Sequence, residues 1–207
     1  MWETIEAFPS AQLLAFTLAG LMLNLTPGAD VMFATASGLR GGPRAGVAAG
    51  LGVGLGGAMH VTLAALGLAA LLAAHPAALG AIRWLGALYL LWLAVQAWRA
   101  GPPDAAERGA ARPLRALGRG FLANALNPKV ILFILAFLPQ FTDPAHGPVW
   151  QQIVFLGGIF TVTGTLVTMG YGALAGAMGQ AVGRRPGALN RIAALVFAGL
   201  AARLVWE

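Results

Sequence analysis

The chain has 207 residues, of which 58% are hydrophobic and 10% charged, and it contains no cysteine. A soluble domain has no use for that much apolar surface, and disulfides, thiolate metal sites and cysteine nucleophiles are excluded outright. A net charge of +6 would suggest nucleic acid in a soluble protein, but nearly all the arginines fall in short stretches between apolar runs, which positive-inside topology explains without a nucleic-acid partner.

Met1 to Pro9 carries Glu3 and Glu6 but no Lys or Arg, so the positively charged start of a cleavable signal is missing and the first helix is expected to be retained. Apolar runs predict helices at roughly 11–39, 45–74, 77–98, 118–138, 149–178 and 188–206. Each supplies about 20 residues or more, enough for a hydrocarbon core near 30 Å. Gly41, Gly42 and Pro43 close the first run, His75 and Pro76 the second, Pro102 and Pro103 follow the third, and Arg184 to Gly187 separate the last two.

Arg40 and Arg44, then Arg99, Arg108, Arg112, Arg115 and Arg119, then Arg184, Arg185 and Arg191 mark the first, third and fifth loops as cytoplasmic. Both termini are therefore expected on the outer face. Trp84 and Trp98, 14 residues apart, fit the two interfaces at the ends of the third helix.

The fold class expected is an all-α integral membrane protein of six transmembrane helices in one domain. A three-helix repeat over 1–98 and another over 118–207 are joined by a cytoplasmic loop at 99–117. An odd number of helices per half makes the halves antiparallel, and each half opens on a helix broken at proline: Leu25-Thr26-Pro27 with Asn24 upstream, and Leu126-Asn127-Pro128 with Asn124 upstream. That is the pattern of an inverted repeat.

Thr or Asn before Pro is a helix-start signature, in which the side-chain oxygen caps free amides and proline takes the first helical position. Proline also frees the carbonyl four residues back, here those of Leu23 and Asn124. In hydrocarbon each must find another partner or a ligand. A proline kink repaired by Thr26 and Asn127 is the structural alternative to a ligand site.

Asp30, three residues past Pro27, and Lys129, directly after Pro128, are charges in otherwise apolar surroundings; Lys129 is the one lysine beside twelve arginines. An isolated charge in a bilayer costs a few kcal/mol, so such residues pair or face a watery cavity. One reading is a salt bridge locking the two halves, or Asp30 snorkelling to the cytoplasm. The other is a polar substrate site, with Asp30 receiving an ammonium group while Lys129 and the amides from Gly28 onward receive a carboxylate. The substrate-site candidates are thus Asn24, Thr26, Pro27, Gly28, Asp30, Asn124, Asn127, Pro128 and Lys129, with Asp30 and the buried His60 as candidates for proton coupling.

Hydroxyls at Thr161, Thr163, Thr165, Thr168 and Tyr171 carry little weight, because such groups commonly bond their own helix. Glycines at 42, 46, 50 and 54 give the second helix a bare face, open to internal packing or to a dimer. With no paired acids or metal-spaced histidines in the helices, neither an intramembrane enzyme nor a metal or other cofactor is expected.

Leu25-Thr26-Pro27-Gly28, Arg44-Ala45-Gly46, Gly52 to His60, Ala64 to Leu68, Gly86 to Leu90, Asn127-Pro128-Lys129 and Phe137-Leu138-Pro139-Gln140-Phe141 together resemble the LysE/RhtB exporters, a family that includes lysine, threonine and homoserine exporters. The resemblance covers nearly the whole chain. It implies a secondary exporter of amino acids or related metabolites in the bacterial inner membrane, driven by the proton gradient, with a homo-oligomer as one assembly. The chain departs from the family pattern where Ala29-Asp30 replaces a common Pro-Asn, and where Gly57 replaces a frequent acid. Export of another solute, a metal cation or a toxic amphiphile, and a non-transporting membrane scaffold are the alternative functions.

Overall fold

Long apolar stretches with few internal breakers fold as helices because the bilayer leaves no other partner for the backbone. In a computed structural model, which describes residues 8–74 and 112–178 together with 84, 88, 91, 95 and 99, all regular structure among the described residues is helical. We number the helices α1 (Ser10–Leu25), α2 (Ala29–Ala74), α3 (Pro113–Ala125), α4 (Pro128–Phe137) and α5 (Val149–Met178). Single 3₁₀ turns at Leu138–Phe141 and Pro144–His146 lead from α4 into α5.

The chain leaves helical conformation at both expected breaks: α1 stops at Leu25 and α2 starts at Ala29, while α3 stops at Ala125 and α4 starts at Pro128. The second break bends its helix pair by 51°. α5 has the bounds expected from its apolar run. The helix expected at 118–138 differs, because it begins earlier, at Pro113, inside the stretch assigned to the cytoplasmic loop. Proline at the first helical position starts a helix readily, and Arg115 and Arg119 lie exposed one turn apart, so the arginine-rich end needs no loop. The helices expected at 77–98 and 188–206 lie outside the described residues. The exceptions are Trp84, Leu88, Leu91 and Val95, which are helical and exposed at the spacing of one helix face.

α2 is two helices in one. Gly42 adopts φ 74° and ψ −178°, a conformation open to glycine, and Pro43 restarts the helix. The resulting turn is sharp. A Cβ placed at Gly38 or at Gly46 would collide with the same carbonyl, that of Gly172 on α5, although eight residues of straight helix would separate them by about 12 Å. Segments 29–41 and 43–74 thus both fold back on α5.

The glycine face of α2 is consumed internally. Gly46, Gly50, Gly54 and Gly57 face Gly172, Met169, Thr165 and Thr161 of α5, while Gly52 and Gly56 face Leu117 and Asn124 of α3. This choice between internal packing and dimerisation was open in the sequence, and backbone approach at 46/172 settles the use of that face. Gly172→Val should therefore cost about 3 kcal/mol or more through overpacking; thermal unfolding of purified protein in detergent reads the loss, and an unchanged midpoint would refute the close contact.

On one side of the breaks, Phe16, Phe133, Phe137, Phe141 and Phe160 build an aromatic core, with ring centroids 4.6 Å apart for Phe133 and Phe137 and 5.0 Å for Phe133 and Phe160. On the other side Phe33, Ala34, Ala45, Ala49 and Ala116 pack through small side chains. The polar residues lie between these two layers.

Candidate functional site

Four carbonyls at the first break have found donors. Met22 O accepts the Thr26 amide at 3.1 Å and the Thr26 hydroxyl at 2.7 Å. Leu23 O accepts the Thr26 amide at 3.2 Å and Lys129 Nζ at 3.1 Å. Leu25 O accepts the Tyr171 hydroxyl at 3.2 Å, and Thr26 O a second bond from Lys129 Nζ at 3.1 Å. At the second break Asn124 O accepts the Asn127 amide at 2.9 Å and His60 Nε2 at 3.1 Å. Since a carbonyl only accepts, Nε2 carries the imidazole proton.

The two carbonyls that proline was expected to free are therefore each met by a side chain from the other half of the chain. Lys129, from beyond the second break, closes the first; His60, from α2, closes the second. Hydrogen bonds to a charged donor are worth about 1.5–3 kcal/mol each, so the ammonium is a structural tie as well as a charge.

The start of α4 is as expected, and that of α2 is not. Asn127 caps α4 through Oδ1, which accepts the Lys129 amide at 3.0 Å, and Pro128 is the first residue of the helix. Thr26 does not cap α2, because its hydroxyl turns back to Met22, and Pro27 lies two residues before the helix begins. Instead Asp30 accepts the Val31 amide at 3.0 Å, leaving the amides of Gly28, Ala29 and Asp30 without a protein partner among the described residues. That end of α2 is open to an anion.

Asp30 and Lys129 are not in ion-pair contact among the described residues. The salt-bridge lock is thus not formed. Asp30 Oδ2 instead accepts from Asn124 Nδ2 at 3.3 Å. A Cβ at Gly28 would lie 2.9 Å from Asp30 Oδ1 and 3.4 Å from Lys129 Nζ, so glycine leaves the space that both charges border.

That space adjoins a pocket into which Asn24, Thr26, Asp30, Asn124 and Lys129 all face. Pro27, Gly28, Asn127 and Pro128 shape the breaks without lining it, and His60 reaches it only through the Asn124 carbonyl. Asn24 spends its amide donors on Phe160 O and Thr163 Oγ1, both at 3.1 Å, and so ties α1 to α5. Asn124 is 3% exposed, and its Oδ1 has no partner.

Val53, Gly54, Gly57, Phe160, Thr161, Thr165 and Thr168 complete the wall. The three threonines had been discounted singly. Their spacing of four and then three residues, which puts them on one face of α5, is the signal that would have found them.

The family model described as LysE type translocator matches residues 21–207. An uncharacterized membrane protein of Vibrio cholerae serotype O1 is 37% identical over 182 residues, covering 86% of this chain and 87% of the relative. A homoserine/homoserine lactone efflux protein of Salmonella typhi is 32% identical over 168 residues, covering 78% of this chain and 79% of the relative. A leucine efflux protein of Klebsiella pneumoniae is 32% identical over 136 residues, 63% of each chain. No solved structure matches. A family match over nearly the whole chain, with relatives that are membrane proteins and efflux proteins, places this chain in the LysE type translocator family.

Proposed function

We propose that this protein is a secondary-active exporter that carries amino acids or closely related metabolites across the bacterial inner membrane by alternating access, coupled to the proton gradient. The observation that carries the reading is the pairing of one carboxylate and one ammonium, unpaired with each other, around a single pocket where two helices break. An amino acid presents the complementary pair: its ammonium suits Asp30 and Asn124 Oδ1, its carboxylate suits Lys129 and the open amides at Gly28 to Asp30. Efflux proteins for homoserine and leucine among the relatives point the same way.

Six transmembrane helices in two inverted three-helix repeats, both termini outside, is the topology we propose, in which 10–41 and 113–137 are the equivalent broken helices. The reciprocal ties of Lys129 to Leu23 and of His60 to Asn124 support it, since each half completes the other's broken backbone. Such ties give the two halves a joint that rocking would remake. Asp30, standing apart from Lys129, is the group we assign to alternate between a proton and the substrate ammonium.

The test is efflux from dipeptide-fed cells with and without the gene. The expected result is slower appearance of one or more amino acids outside the deletion strain, restored by the wild-type gene. Identical extracellular amino acids in both strains, together with no response of the purified protein to any amino acid, would remove the proposal.

A further inference from the structure

Asp30, Asn124 and Lys129 suffice for the two charged ends of an amino acid, which leaves one wall of the pocket without a task. On α5, Thr165 Oγ1 donates to Thr161 O at 2.7 Å, and Thr163 Oγ1 donates to Ile159 O at 2.8 Å and Phe160 O at 3.0 Å. This is how threonine is ordinarily satisfied within a membrane helix. Thr161 departs from it: its Oγ1 is buried, lacks a hydrogen-bond partner, and belongs to a residue that lines the pocket. An unmade hydrogen bond at a buried hydroxyl costs about 1–3 kcal/mol.

Opposite that hydroxyl stands Gly57. A Cβ there would lie 3.2 Å from Thr161 Cγ2 and 3.4 Å from Thr161 Oγ1, so a larger side chain at 57 would press directly on the hydroxyl-bearing side chain. Val53 and Phe160 give the same wall its apolar part. This part of the wall is mostly apolar, with the unspent Thr161 hydroxyl and no second charge; Thr168, about two turns further along α5, also lines the pocket without a side-chain hydrogen bond among the described residues.

We propose that Thr161, whose hydroxyl lacks a partner at the pocket wall, is the residue that reads the substrate's side chain, selecting a short side chain with a hydrogen-bonding atom over an alkyl group of the same size. The proposal rests on the pocket being an amino-acid site. A pocket with one carboxylate and one ammonium, both engaged by the substrate's main-chain groups, also offers nothing to a cationic side chain. Lysine and arginine are therefore poor ligands for it.

Exchange of labelled amino acids by the purified protein in proteoliposomes separates the claims. Threonine against valine, and homoserine against norvaline, are pairs that differ by hydroxyl for methyl. Wild-type protein is expected to prefer the hydroxyl member by about tenfold, the value of one buried hydrogen bond. Thr161→Val is expected to bring the ratio to about one, and Thr161→Ser to keep it. Gly57→Ala, which adds a methyl 3.2 Å from Thr161 Cγ2 and so displaces that side chain slightly, is expected to lower the ratio without a backbone collision, and it decides the matter should Thr161→Val not fold. A ratio unchanged in Thr161→Val, or a preference for lysine in wild type, overturns the assignment of Thr161 while leaving amino-acid transport standing. Absence of exchange with every amino acid overturns both.

Discussion

Lys129→Met is expected to abolish export and to lower folding stability by about 3 kcal/mol, two losses from one atom. Nζ donates to Leu23 O and Thr26 O, both at 3.1 Å, and these carbonyls lie where α1 ends and water is scarce. Removing an ammonium that holds two carbonyls forfeits charge-assisted bonds of about 1.5–3 kcal/mol each, partly recovered as the Leu23 carbonyl keeps the Thr26 amide. Methionine keeps the length and apolar stem of the lysine, so the loss reports on the head group alone. Thermal unfolding in detergent reads the stability term and proteoliposome exchange the transport term. A stable Lys129→Met protein that still exports would show that the ammonium neither closes the break nor meets the substrate.

Asp30→Asn separates charge from shape. The amide side chain still accepts the Val31 amide through its oxygen, now 3.0 Å away, and an Asn124 side chain turned over accepts from the new Nδ2 through its unpartnered Oδ1. The fold is therefore expected to survive with a change below about 1 kcal/mol, as for loss of a single neutral hydrogen bond. Binding is not. Losing one member of a desolvated charge pair costs about 2–5 kcal/mol, so apparent affinity for the exported amino acid should fall by about 30-fold or more. Because Asp30 is also the proposed proton carrier, the remaining exchange should lose its dependence on an imposed pH gradient. Full coupling in Asp30→Asn would move the proton to another group and end that assignment.

The chemistry of the site was legible in sequence to the extent that proline dictates it. Pro27 and Pro128 told where the backbone breaks, and the offset of four residues named Leu23 and Asn124 as the carbonyls in need. What closes them was not legible, because Lys129 and His60 act across 106 and 64 residues of chain, and an alanine-rich helix carries no pattern that fixes its rotation. Thr26 shows the limit of local rules: Thr-Pro reads as a cap, yet the hydroxyl bonds the helix that ends rather than the one that begins. In hydrocarbon the terminating carbonyls outweighed the starting amides, and those amides stay without a protein partner among the described residues.

Helix rotation also explains the remaining gaps. Gly46, Gly50 and Gly54, with Gly57 beside them, announced a close approach without naming α5 as its partner, whereas Gly42 of the same series makes the turn and meets no neighbour. Thr161 and Thr165 gained meaning once α5 was seen to turn them toward those glycines. The start of α3 at Pro113 was obscured by arginines, whose long stems let a helix run past the apolar segment.

The central claim, that groups from two broken helices enclose one wet pocket that holds an amino acid, has a direct probe because the chain has no cysteine of its own. Thr165→Cys places a single thiol of nearly threonine size in the pocket wall. The account predicts that a small charged methanethiosulfonate labels this thiol in the folded protein and that the exported amino acid slows labelling in proportion to its occupancy. Labelling that no exported amino acid slows, or a thiol that stays closed to the reagent while the protein transports, would contradict it.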